Sequence, residues 1–582
     1  MVTDEEIQTE ARKFALLNAV EHSGTANSNS VVGRILSENA DLRREASRVK
    51  TIVSQVVAQV NRISISAQNA AMENEFPGEL QSVASRKKEL SRTESEKKPE
   101  LPDIPDAIPG KVVTRFPPEP NGFMHIGHAK ASILASEYSR KYQGKFIVRF
   151  DDTNPAAEKL EYYGAFIESL AWLGIKPDSV KNASDDMERF YEIAEFMIQK
   201  FAAYVCSCTQ ERMKEYRSFG FNCKHRSQSS SSNLNQWRDM LSGKVEAKNS
   251  TLRFVGNMQS LNTTMRDPVL FRIVEQPHPL KGNEYRVWPT YDFDGPIEDS
   301  ADGVTHAMRS KEYELRDELY YAILDSIEFR KPKIIEFSRL KLKNTTVSKR
   351  NLRKLIEEGK VEGWDDPRLP TIAGLRRRGI LPETIREFVL QMGISKVESI
   401  PTWDLLESIN RKLLDPISKR YFFAGDPYHL LIDGNPVSEV TLRYHPNEDY
   451  GSRTITTAGD FLISASDASQ LKPGSKFRLI EVYNCEVISV EDRLIRARQI
   501  SEAVQEKIPK IQWVAAENSM PFKVMITGEL LSDEKYNPDS LKIIDGYIEK
   551  SAKNLKLGEI FQLVRFGFCR LDSEQTAILA HK

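Results

Sequence analysis

The chain contains the run Arg115-Phe-Pro-Pro-Glu119-Pro-Asn-Gly122-Phe-Met-His125-Ile-Gly127-His128. Val112 and Val113 before it predict the end of a buried strand. Its Pro and Gly residues break regular structure, and residues 129–142 after it have helical periodicity. We therefore predict a strand, a loop and a helix start. Such a junction presents unpaired backbone N–H groups to an anion, and Gly127 allows a phosphate or purine to approach the backbone.

His125 and His128 lie three residues apart, so they share one face of the first helical turn. From there both imidazoles can donate to phosphate oxygens as charge develops. The alternative is that the two side chains only cap or pack the helix start. The Pro- and Gly-shaped loop around them favours the phosphate site.

This run resembles the His-Ile-Gly-His signature of class I aminoacyl-tRNA synthetases. Its first eight residues are similar to the glutamyl and glutaminyl branch of that class. The resemblance implies that His125 and His128 are catalytic. It also implies an ATP site, with Mg2+, that includes Pro118, Glu119, Pro120, Asn121, Gly122, His125, Gly127 and His128.

Bulk properties set the class of protein. A chain of 582 residues is long enough for about four domains of roughly 150 residues each. The 82 basic and 83 acidic residues nearly cancel, so a nucleic-acid surface must be a local patch. Five Cys argue against a disulfide framework, and the acidic N-terminus lacks an apolar signal region. We expect a cytoplasmic protein with no membrane span.

Pattern changes along the chain predict several domains. The helical spacing of Val53, Val56, Val57 and Val60 indicates a helical domain, and Phe146-Ile-Val-Arg-Phe150 predicts a second parallel strand. Together with the resemblance, these patterns predict a helical domain at 1–83, a charged, Pro-rich solvated linker at 84–109, a doubly wound α/β Rossmann-type catalytic domain at 110–330 with a tRNA acceptor-binding insertion at about 200–285, a phosphate-loop and helical stem-contact region at 331–413, and an all-β anticodon-binding region of barrels at 414–582.

Asp151-Asp152-Thr-Asn-Pro155 follows the second predicted strand, where open α/β sheets place ligand-binding groups. The same residues also make an ordinary turn and helix cap. In the glutamyl and glutaminyl branch the corresponding motif looks the same. The resemblance implies that Asp151 holds the α-ammonium group of an amino acid.

Residues 340–354 contain six basic side chains, which suits a leaving polyphosphate but also an exposed helix start. The segment resembles the Lys-Met-Ser-Lys-Ser loop of class I synthetases. Thr346 stands in place of the first Lys, Val347 replaces Met, and Arg350 replaces the last Ser. Ser348 and Lys349 are kept. They join the implied ATP site, with Lys349 as the catalytic residue that neutralises the departing pyrophosphate.

The string from Val361 to Gly379 is similar to the same branch at nearly every position. Trp364 fits a packing role. The triplet Arg376-Arg-Arg378 suits either an exposed helix face or, as the resemblance implies, tRNA phosphates.

The amino acid must be recognised by charge, because glutamate and glutamine are nearly isosteric. Arg309 can form a fork of two hydrogen bonds to a carboxylate, which an amide cannot accept in full. The alternative is a surface Arg309 paired with Glu312 or Glu314. The resemblance favours Arg309 as the residue that selects glutamate, and it implies a substrate pocket formed by Arg115, Glu119, Asp151, Tyr291 and Arg309.

Cys206-Ser-Cys208 and Cys223-Lys-His225 gather three of the five Cys and one His within twenty residues. Their number and softness fit a structural, tetrahedral Zn2+ site, and small buried Cys residues would give the same pattern. Both interpretations stay open.

Taken together, the motifs are similar to glutamyl-tRNA synthetases of the archaeal or eukaryotic type. The resemblance implies ATP-dependent attachment of glutamate to tRNA(Glu), and it leaves open a second substrate, tRNA(Gln). The alternatives are a glutaminyl-tRNA synthetase and an RNA-binding scaffold without chemistry. We expect the N-terminal helical domain to contact tRNA or to dock a protein partner.

Overall fold

A computed structural model describes residues 2–21, 25–39, 42, 45–77, 101–247, 249–345, 348–398, 400–434, 436–503, 508–532 and 535–582. The chain forms two compact units, Met1–Glu100 and Leu101–Lys582.

The helices are α1 Asp4–Glu21, α2 Ser28–Glu38, α3 Ala46–Val60, α4 Ile65–Glu75, α5 Ile126–Lys141, α6 Leu160–Trp172, α7 Met187–Gln199, α8 Gln210–Phe219, α9 Ser230–Leu241, α10 Tyr291–Ala301, α11 Asp317–Ser326, α12 Lys349–Glu357, α13 Ile372–Arg378, α14 Pro382–Met392, α15 Trp403–Leu414 and α16 Ala465–Ala468. The strands of the catalytic region are β1 Val113–Phe116, β2 Lys145–Phe150, β3 Ser179–Asn182, β4 Ala203–Cys206, β5 Thr251–Phe254, β6 Val269–Ile273, β7 Val287–Pro289, β8 His306–Ser310 and β9 Lys333–Phe337.

The strands of the C-terminal region are β10 Arg420–Tyr421, β11 Phe423–Gly425, β12 Tyr428–Ile432, β13 Ser438–Arg443, β14 Ser452–Thr457, β15 Asp460–Ile463, β16 Lys476–Leu479, β17 Asn484–Glu491, β18 Leu494–Ser501, β19 Lys510–Ile511, β20 Val514–Ala515, β21 Ser519–Thr527, β22 Leu531–Ser532, β23 Lys535–Tyr536, β24 Leu541–Glu549, β25 Ile560–Leu563, β26 Gly567–Ser573 and β27 Thr576–His581.

Within its described residues, the N-terminal unit contains helices α1 to α4, which pack around an apolar core. Val53, Val56, Val57 and Val60 are all buried in that core, as their spacing predicts. Residues 78–100, which include most of the predicted linker, lie outside the described residues.

The end of the predicted linker differs from the expectation of a solvated segment. Leu101 and Ile104 belong to the core of the second unit. The backbone N–H of Ile104 donates to the hydroxyl of Tyr142 at 3.2 Å. Apolar side chains at these two positions hold residues 101–104 against the end of α5.

The catalytic region is built on parallel strands. Strands β1, β2 and β3 pair in parallel, and β8 and β9 form a second parallel pair. The backbone N–H of Thr305 donates to the carbonyl of Val113 at 2.9 Å, which places β8 beside β1. The order of strands therefore reverses at β1, and open α/β sheets bind ligands at such a reversal.

The insertion between α7 and α10 contains a four-stranded antiparallel sheet in the order β4-β5-β6-β7. Its core includes Trp237, Phe271 and Trp288. The sheet ends at Pro289, close to the predicted end of the insertion near residue 285.

The C-terminal region is rich in strands, as predicted. It contains two seven-stranded sheets, in the orders β10-β25-β26-β27-β21-β24-β11 and β19-β16-β17-β18-β12-β15-β20. Alternating residues of these strands form two apolar cores. The predicted fold class, with helices first, an α/β catalytic domain next and β domains last, is confirmed.

Candidate active site

The His loop, residues 117–128, leads from β1 into α5. The Nδ1 atom of His125 accepts the backbone N–H groups of Gly127 at 3.1 Å and His128 at 3.4 Å. The Nδ1 atom of His128 in turn accepts the N–H of His125 at 3.3 Å. Each neutral ring therefore carries its proton on Nε2. The two His residues cap the helix and at the same time have the donor that a phosphate requires.

Gly127 has a structural role in addition to its predicted one, the close approach of a phosphate, which stays a prediction. A Cβ atom at this position would lie 2.9 Å from Cε1 and 3.0 Å from Nδ1 of His125. Glycine therefore leaves room for the imidazole to fold back over the helix start.

The segment after α12, residues 358–371, packs against the His loop. Thr371 forms an isolated antiparallel bridge with His125. Trp364 stacks on Phe123, with ring centroids 5.4 Å apart. Packing explains Trp364, and this packing also orients the His loop.

The acidic loop, residues 151–159, follows β2. Asp151 accepts from Nε of Arg149 through Oδ1 at 2.7 Å. Its Oδ2 atom is buried and has no hydrogen-bond partner among the described residues. Asp294 on α10 is similar: Oδ2 accepts from Thr153 at 2.6 Å, and Oδ1 has no partner in the same part of the chain. Burial raises the pKa of both carboxyls.

Two adjacent buried carboxyls with unpartnered oxygens form a ready site for an ammonium group. The pattern of residues 291–294 could have suggested that Asp294 faces the cleft, because it lies one helical turn after Tyr291. Sequence reasoning missed it.

Arg115 lies behind the cleft in a buried network. Its Nε and Nη2 atoms donate to the two oxygens of Asp299 at 2.9 and 3.1 Å, and Nη1 donates to the carbonyl of Met308 at 2.6 Å. Burial opposes ionisation of Asp299, but Arg115 and Arg149 outweigh it and hold the pKa of Asp299 below its usual range. Arg115 thus fixes α10 and β8, while its predicted contact with the substrate stays a prediction.

Arg309 at the end of β8 is buried, with 5% of the residue exposed. It pairs with neither Glu312 nor Glu314; Nη1 donates to Asp317 at 3.2 Å. Its Nε atom is buried without a partner among the described residues. The alternative of an exposed surface Arg is therefore wrong.

Three aromatic rings surround this guanidinium. Its carbon lies 5.7 Å from the ring centre of Tyr291, 5.2 Å from Tyr313 and 5.3 Å from Tyr320. Burial disfavours the charge, but Tyr291 and Asp317 keep the pKa of Arg309 above its ordinary value. A permanently charged donor therefore faces the cleft.

One cleft of about 950 Å³ collects most of the predicted site residues. Its lining includes Pro118, Glu119, Asn121, His125, Gly127, His128, Asp151, Tyr291, Arg309 and Ser348. It does not include Arg115, Pro120 or Gly122. Thr346 and Val347 lie outside the described residues, and so does the side chain of Lys349, whose backbone begins α12. The roles of all these residues stay predictions.

Arg272 of β6 is a second cleft residue that the sequence did not reveal. It lines the cleft and donates through Nη2 to the carbonyl of Thr153 at 3.1 Å. Glu119 accepts from Nδ2 of Asn154 at 3.1 Å. The insertion and the His loop thus both hold the acidic loop.

The Arg triplet makes intrachain ion pairs. Arg377 forms a fork with Asp572 of β26 at 2.9 and 3.0 Å. Arg378 is buried over the ring of Trp403. Arg376 is more exposed and pairs with Glu168 at 3.0 Å. Contact between the triplet and tRNA phosphates stays a prediction.

The Cys and His residues of the insertion converge. One ligand atom from each of Cys206, Cys208, Cys223 and His225 lies within 4.8 Å of every other. The Cys223 sulfur lies 3.7 Å from the Cys206 sulfur and 3.4 Å from the Cys208 sulfur. In a tetrahedral site with Zn–S bonds of about 2.3 Å, the sulfurs are roughly 3.8 Å apart. The four residues therefore fit a zinc ion.

Within the described residues, no helix has both the length and the apolar character that crossing a membrane requires.

Comparisons with known proteins agree with this geometry. Residues 111–416 match the family model "tRNA synthetases class I (E and Q), catalytic domain". Residues 418–501 and 510–572 match two models of the anticodon-binding domain of the same class. The boundary between the first match and the other two, at residues 416–418, coincides with the end of the α/β region and the start of the β region.

Full-length relatives carry the likeness through the N-terminal unit as well. The glutamate–tRNA ligase of Nitrosopumilus maritimus (strain SCM1) is 44% identical over 579 residues, which cover 100% of both chains. Proteins of the same name from Cenarchaeum symbiosum (strain A) and Pyrococcus furiosus are 41% and 40% identical, and each match covers 99% of this chain and 100% of the relative. With a catalytic-domain model matched over more than half of its length, the chain belongs to the class I tRNA synthetases for glutamate and glutamine.

Proposed function

We propose that this chain attaches glutamate to tRNA(Glu) through a glutamyl-adenylate, with release of pyrophosphate and AMP. One observation carries the proposal. Oδ2 of Asp151 and Nε of Arg309 are both buried and unpartnered among the described residues, and both residues line one cleft. A carboxylate suits an α-ammonium group and a guanidinium suits a side-chain carboxylate. Glutamate supplies both groups.

The first step is attack of the α-carboxylate of glutamate on the α-phosphate of ATP, which Mg2+ accompanies. The Nε2–H groups of His125 and His128 donate to phosphate oxygens as charge develops on them. Lys349 and Ser348 neutralise and orient the departing pyrophosphate. The closely stacked His rings, with centroids 3.7 Å apart, support joint action on one phosphate group.

The second step requires the 3′ end of the tRNA to enter the cleft, and a surface of the insertion supports that path. Phe219 and Phe221 are 67% and 58% exposed, and their rings stack with centroids 6.0 Å apart. Gln259 donates to the carbonyl of Gly220 at 2.8 Å and holds the loop between them. Arg217, two residues away, lines the cleft. Rigid exposed aromatics beside basic groups are a stacking platform for single-stranded bases.

Zinc at Cys206, Cys208, Cys223 and His225 would hold this platform in place. In the sequence, helix α8 and the platform lie between the first ligand pair, Cys206 and Cys208, and the second pair, Cys223 and His225. Zinc in such a site contributes directly to local folding and takes no part in the chemistry.

The test is aminoacylation with glutamate and with glutamine, each against purified tRNA(Glu) and tRNA(Gln). We expect charging of tRNA(Glu) with glutamate. Charging with glutamine alone would overturn the assignment, and absence of charging with every pair would favour the RNA-binding scaffold. The three relatives above are all named for glutamate and lend no support to the glutaminyl alternative.

A further inference from the structure

His278 belongs to the insertion, on the segment between β6 and β7, and its side chain is fully enclosed. The ring stacks on Trp288 with centroids 4.8 Å apart. Nδ1 accepts the backbone N–H groups of Leu280 at 3.2 Å and Lys281 at 3.1 Å. Because Nδ1 accepts two bonds, the neutral ring carries its proton on Nε2.

That Nε2–H points into the acidic loop and not into the insertion. Nε2 lies 3.1 Å from the carbonyl oxygen of Asp152 and 3.2 Å from Oε2 of Glu158. Glu158 uses its other oxygen to accept the backbone N–H of Asn154 at 2.7 Å. One imidazole of the insertion therefore contacts both ends of the loop that follows Asp151.

The loop is held tightly on its other sides too. The carboxylate of Asp152 accepts from the N–H and the hydroxyl of Ser184, both at 2.8 Å, and from the hydroxyl of Tyr163 at 2.9 Å. Arg272 adds a second contact from the insertion, to the carbonyl of Thr153. His278 is thus a link between the insertion sheet and the backbone next to Asp151.

The position of Asp151 depends on this backbone. Its free oxygen must meet an ammonium group within hydrogen-bond distance, and small misplacements of binding groups cost large factors in rate. Neither His278 nor Glu158 lines the cleft, so neither contacts the substrate.

We propose that His278 and Glu158 are positioning residues of the amino-acid site. Through its Nε2–H the insertion fixes the acidic loop, and the fixed loop presents Asp151 to the α-ammonium group. The inference rests on the proposed function in one respect, namely that the amino acid is glutamate.

Two substitutions separate this role from simple stabilisation of the turn at Leu280. In His278→Asn the side-chain oxygen can take the place of Nδ1 and keep the turn, but no donor reaches the acidic loop. In His278→Gln the amide nitrogen can take the place of Nε2 and keep the contact with the loop, but the turn loses its acceptor.

We expect His278→Asn to raise the KM for glutamate roughly tenfold, the effect of leaving the buried carbonyl of Asp152 without its donor. The KM for ATP and the melting temperature should change little. His278→Gln should keep a KM for glutamate near that of the wild type and lower the melting temperature. The reverse pattern, a stable His278→Gln enzyme with raised KM and a normal His278→Asn enzyme, would overturn the proposal.

His445 offers a matched control. Its Nδ1 also accepts two backbone N–H groups, from Asn447 at 3.2 Å and Glu448 at 2.8 Å, and its Nε2 lies 2.9 Å from the carbonyl of Asp415. His445→Asn in the β region should leave the KM for glutamate unchanged. An equal rise in both variants would show a general stability effect and refute positioning.

Glu158→Gln keeps the inference testable if a His278 variant fails to fold. If the amide oxygen of the new Gln keeps the bond to the N–H of Asn154, its NH2 group faces the Nε2–H of His278. Two donors then face each other and the attraction is lost, so the KM for glutamate should rise as in His278→Asn. The assays use the full chain with tRNA. A wild-type chain that charges no tRNA with glutamate would sink the proposed function. If the wild-type chain charges tRNA with glutamate and the Glu158→Gln variant has the same KM for glutamate, only the positioning role is refuted.

Discussion

His125 and His128 lie face to face at the start of α5, with ring centroids 3.7 Å apart and an angle of 18° between the rings. The backbone N–H of each residue lies within hydrogen-bond distance of Nδ1 of the other. This reciprocal cap sets the proton of both neutral rings on Nε2. The alternative of a capping role and the prediction of a phosphate site are therefore compatible. In each ring Nδ1 accepts the hydrogen bonds of the cap, and Nε2 carries the proton that the predicted phosphate contact needs.

Asparagine at position 125 separates the two roles. His125→Asn keeps a good helix cap, since Asn is among the preferred N-cap residues, but it has no donor in the place of Nε2. We expect kcat for charging to fall about 10²- to 10³-fold, the usual effect of removing one donor that stabilises developing charge. The melting temperature should stay within a few degrees. If the His125→Asn variant had the kcat of the wild type, the role of His125 would be limited to capping the helix.

Gly127 provides a second test of the same cap. Gly127→Ala should push the imidazole of His125 away from the helix start, because the new Cβ would meet it at 2.9 Å. We expect a loss of kcat similar to that of His125→Asn, measured in the same charging assay. Gly164 on α6 is the control, because a Cβ there meets nothing within 4 Å. Gly164→Ala should keep full activity and stabilise the chain by about 1 kcal/mol.

Sequence reasoning reached the parts of the site that lie within single motifs. The His loop and Asp151 each follow a predicted strand, and the topology of an α/β sheet brings strand ends together. Arg309 was reached through its charge and the family resemblance, without a predicted strand around it. Sequence reasoning could not predict the partner of the Arg115 guanidinium, which donates to Asp299, 184 residues away. The pair between Arg377 and Asp572 and the contact of His278 with Asp152 are also long-range, across 195 and 126 residues. A pattern predicts which face of an element is apolar, and it does not predict which distant partner a polar group meets.

Phe219 and Phe221 allow a test of the tRNA path. Replacing both with Ala should raise the KM for tRNA about fivefold or more, since stacking of one base on an aromatic ring is worth about 1–3 kcal/mol. The KM values for ATP and glutamate should not change. Phe201 is 63% exposed on the same insertion and does not line the cleft. If Phe201→Ala raised the KM for tRNA equally, exposed aromatic residues of the insertion would act nonspecifically. If the double variant had unchanged kinetics, Phe219 and Phe221 would not be a stacking platform for tRNA.

Zinc can be measured on the purified chain without any assay of activity. Elemental analysis should find about one zinc per chain, and Cys223→Ser should lose it, because a structural site needs all four ligands. Cys485 is buried in the β region away from the cluster. Cys485→Ser should therefore retain the metal. A wild-type chain without zinc after preparation with the metal present would favour the interpretation of small buried Cys residues.

Arg309→Lys tests whether the geometry of the guanidinium, and not its charge alone, selects glutamate. A lysine keeps the positive charge among Tyr291, Tyr313 and Tyr320 but cannot form the two parallel hydrogen bonds of a fork. We expect kcat/KM for glutamate to fall roughly 10- to 150-fold, because a hydrogen bond to a charged group contributes about 1.5–3 kcal/mol. Charging kinetics with glutamate and glutamine measure the change.

The same substitution on the protein surface isolates the effect of burial. Arg238 forms a fork with Glu195 at 3.2 and 3.3 Å, and its side chain is 60% exposed. Such exposed pairs contribute about 0–1 kcal/mol, so Arg238→Lys should leave kcat/KM within about twofold of the wild type. If Arg309→Lys matched Arg238→Lys, the fork would not set the preference for glutamate, and the carboxylate would have to be bound elsewhere in the cleft. Arg272 would then be the next cation to test, because it lines the same cleft.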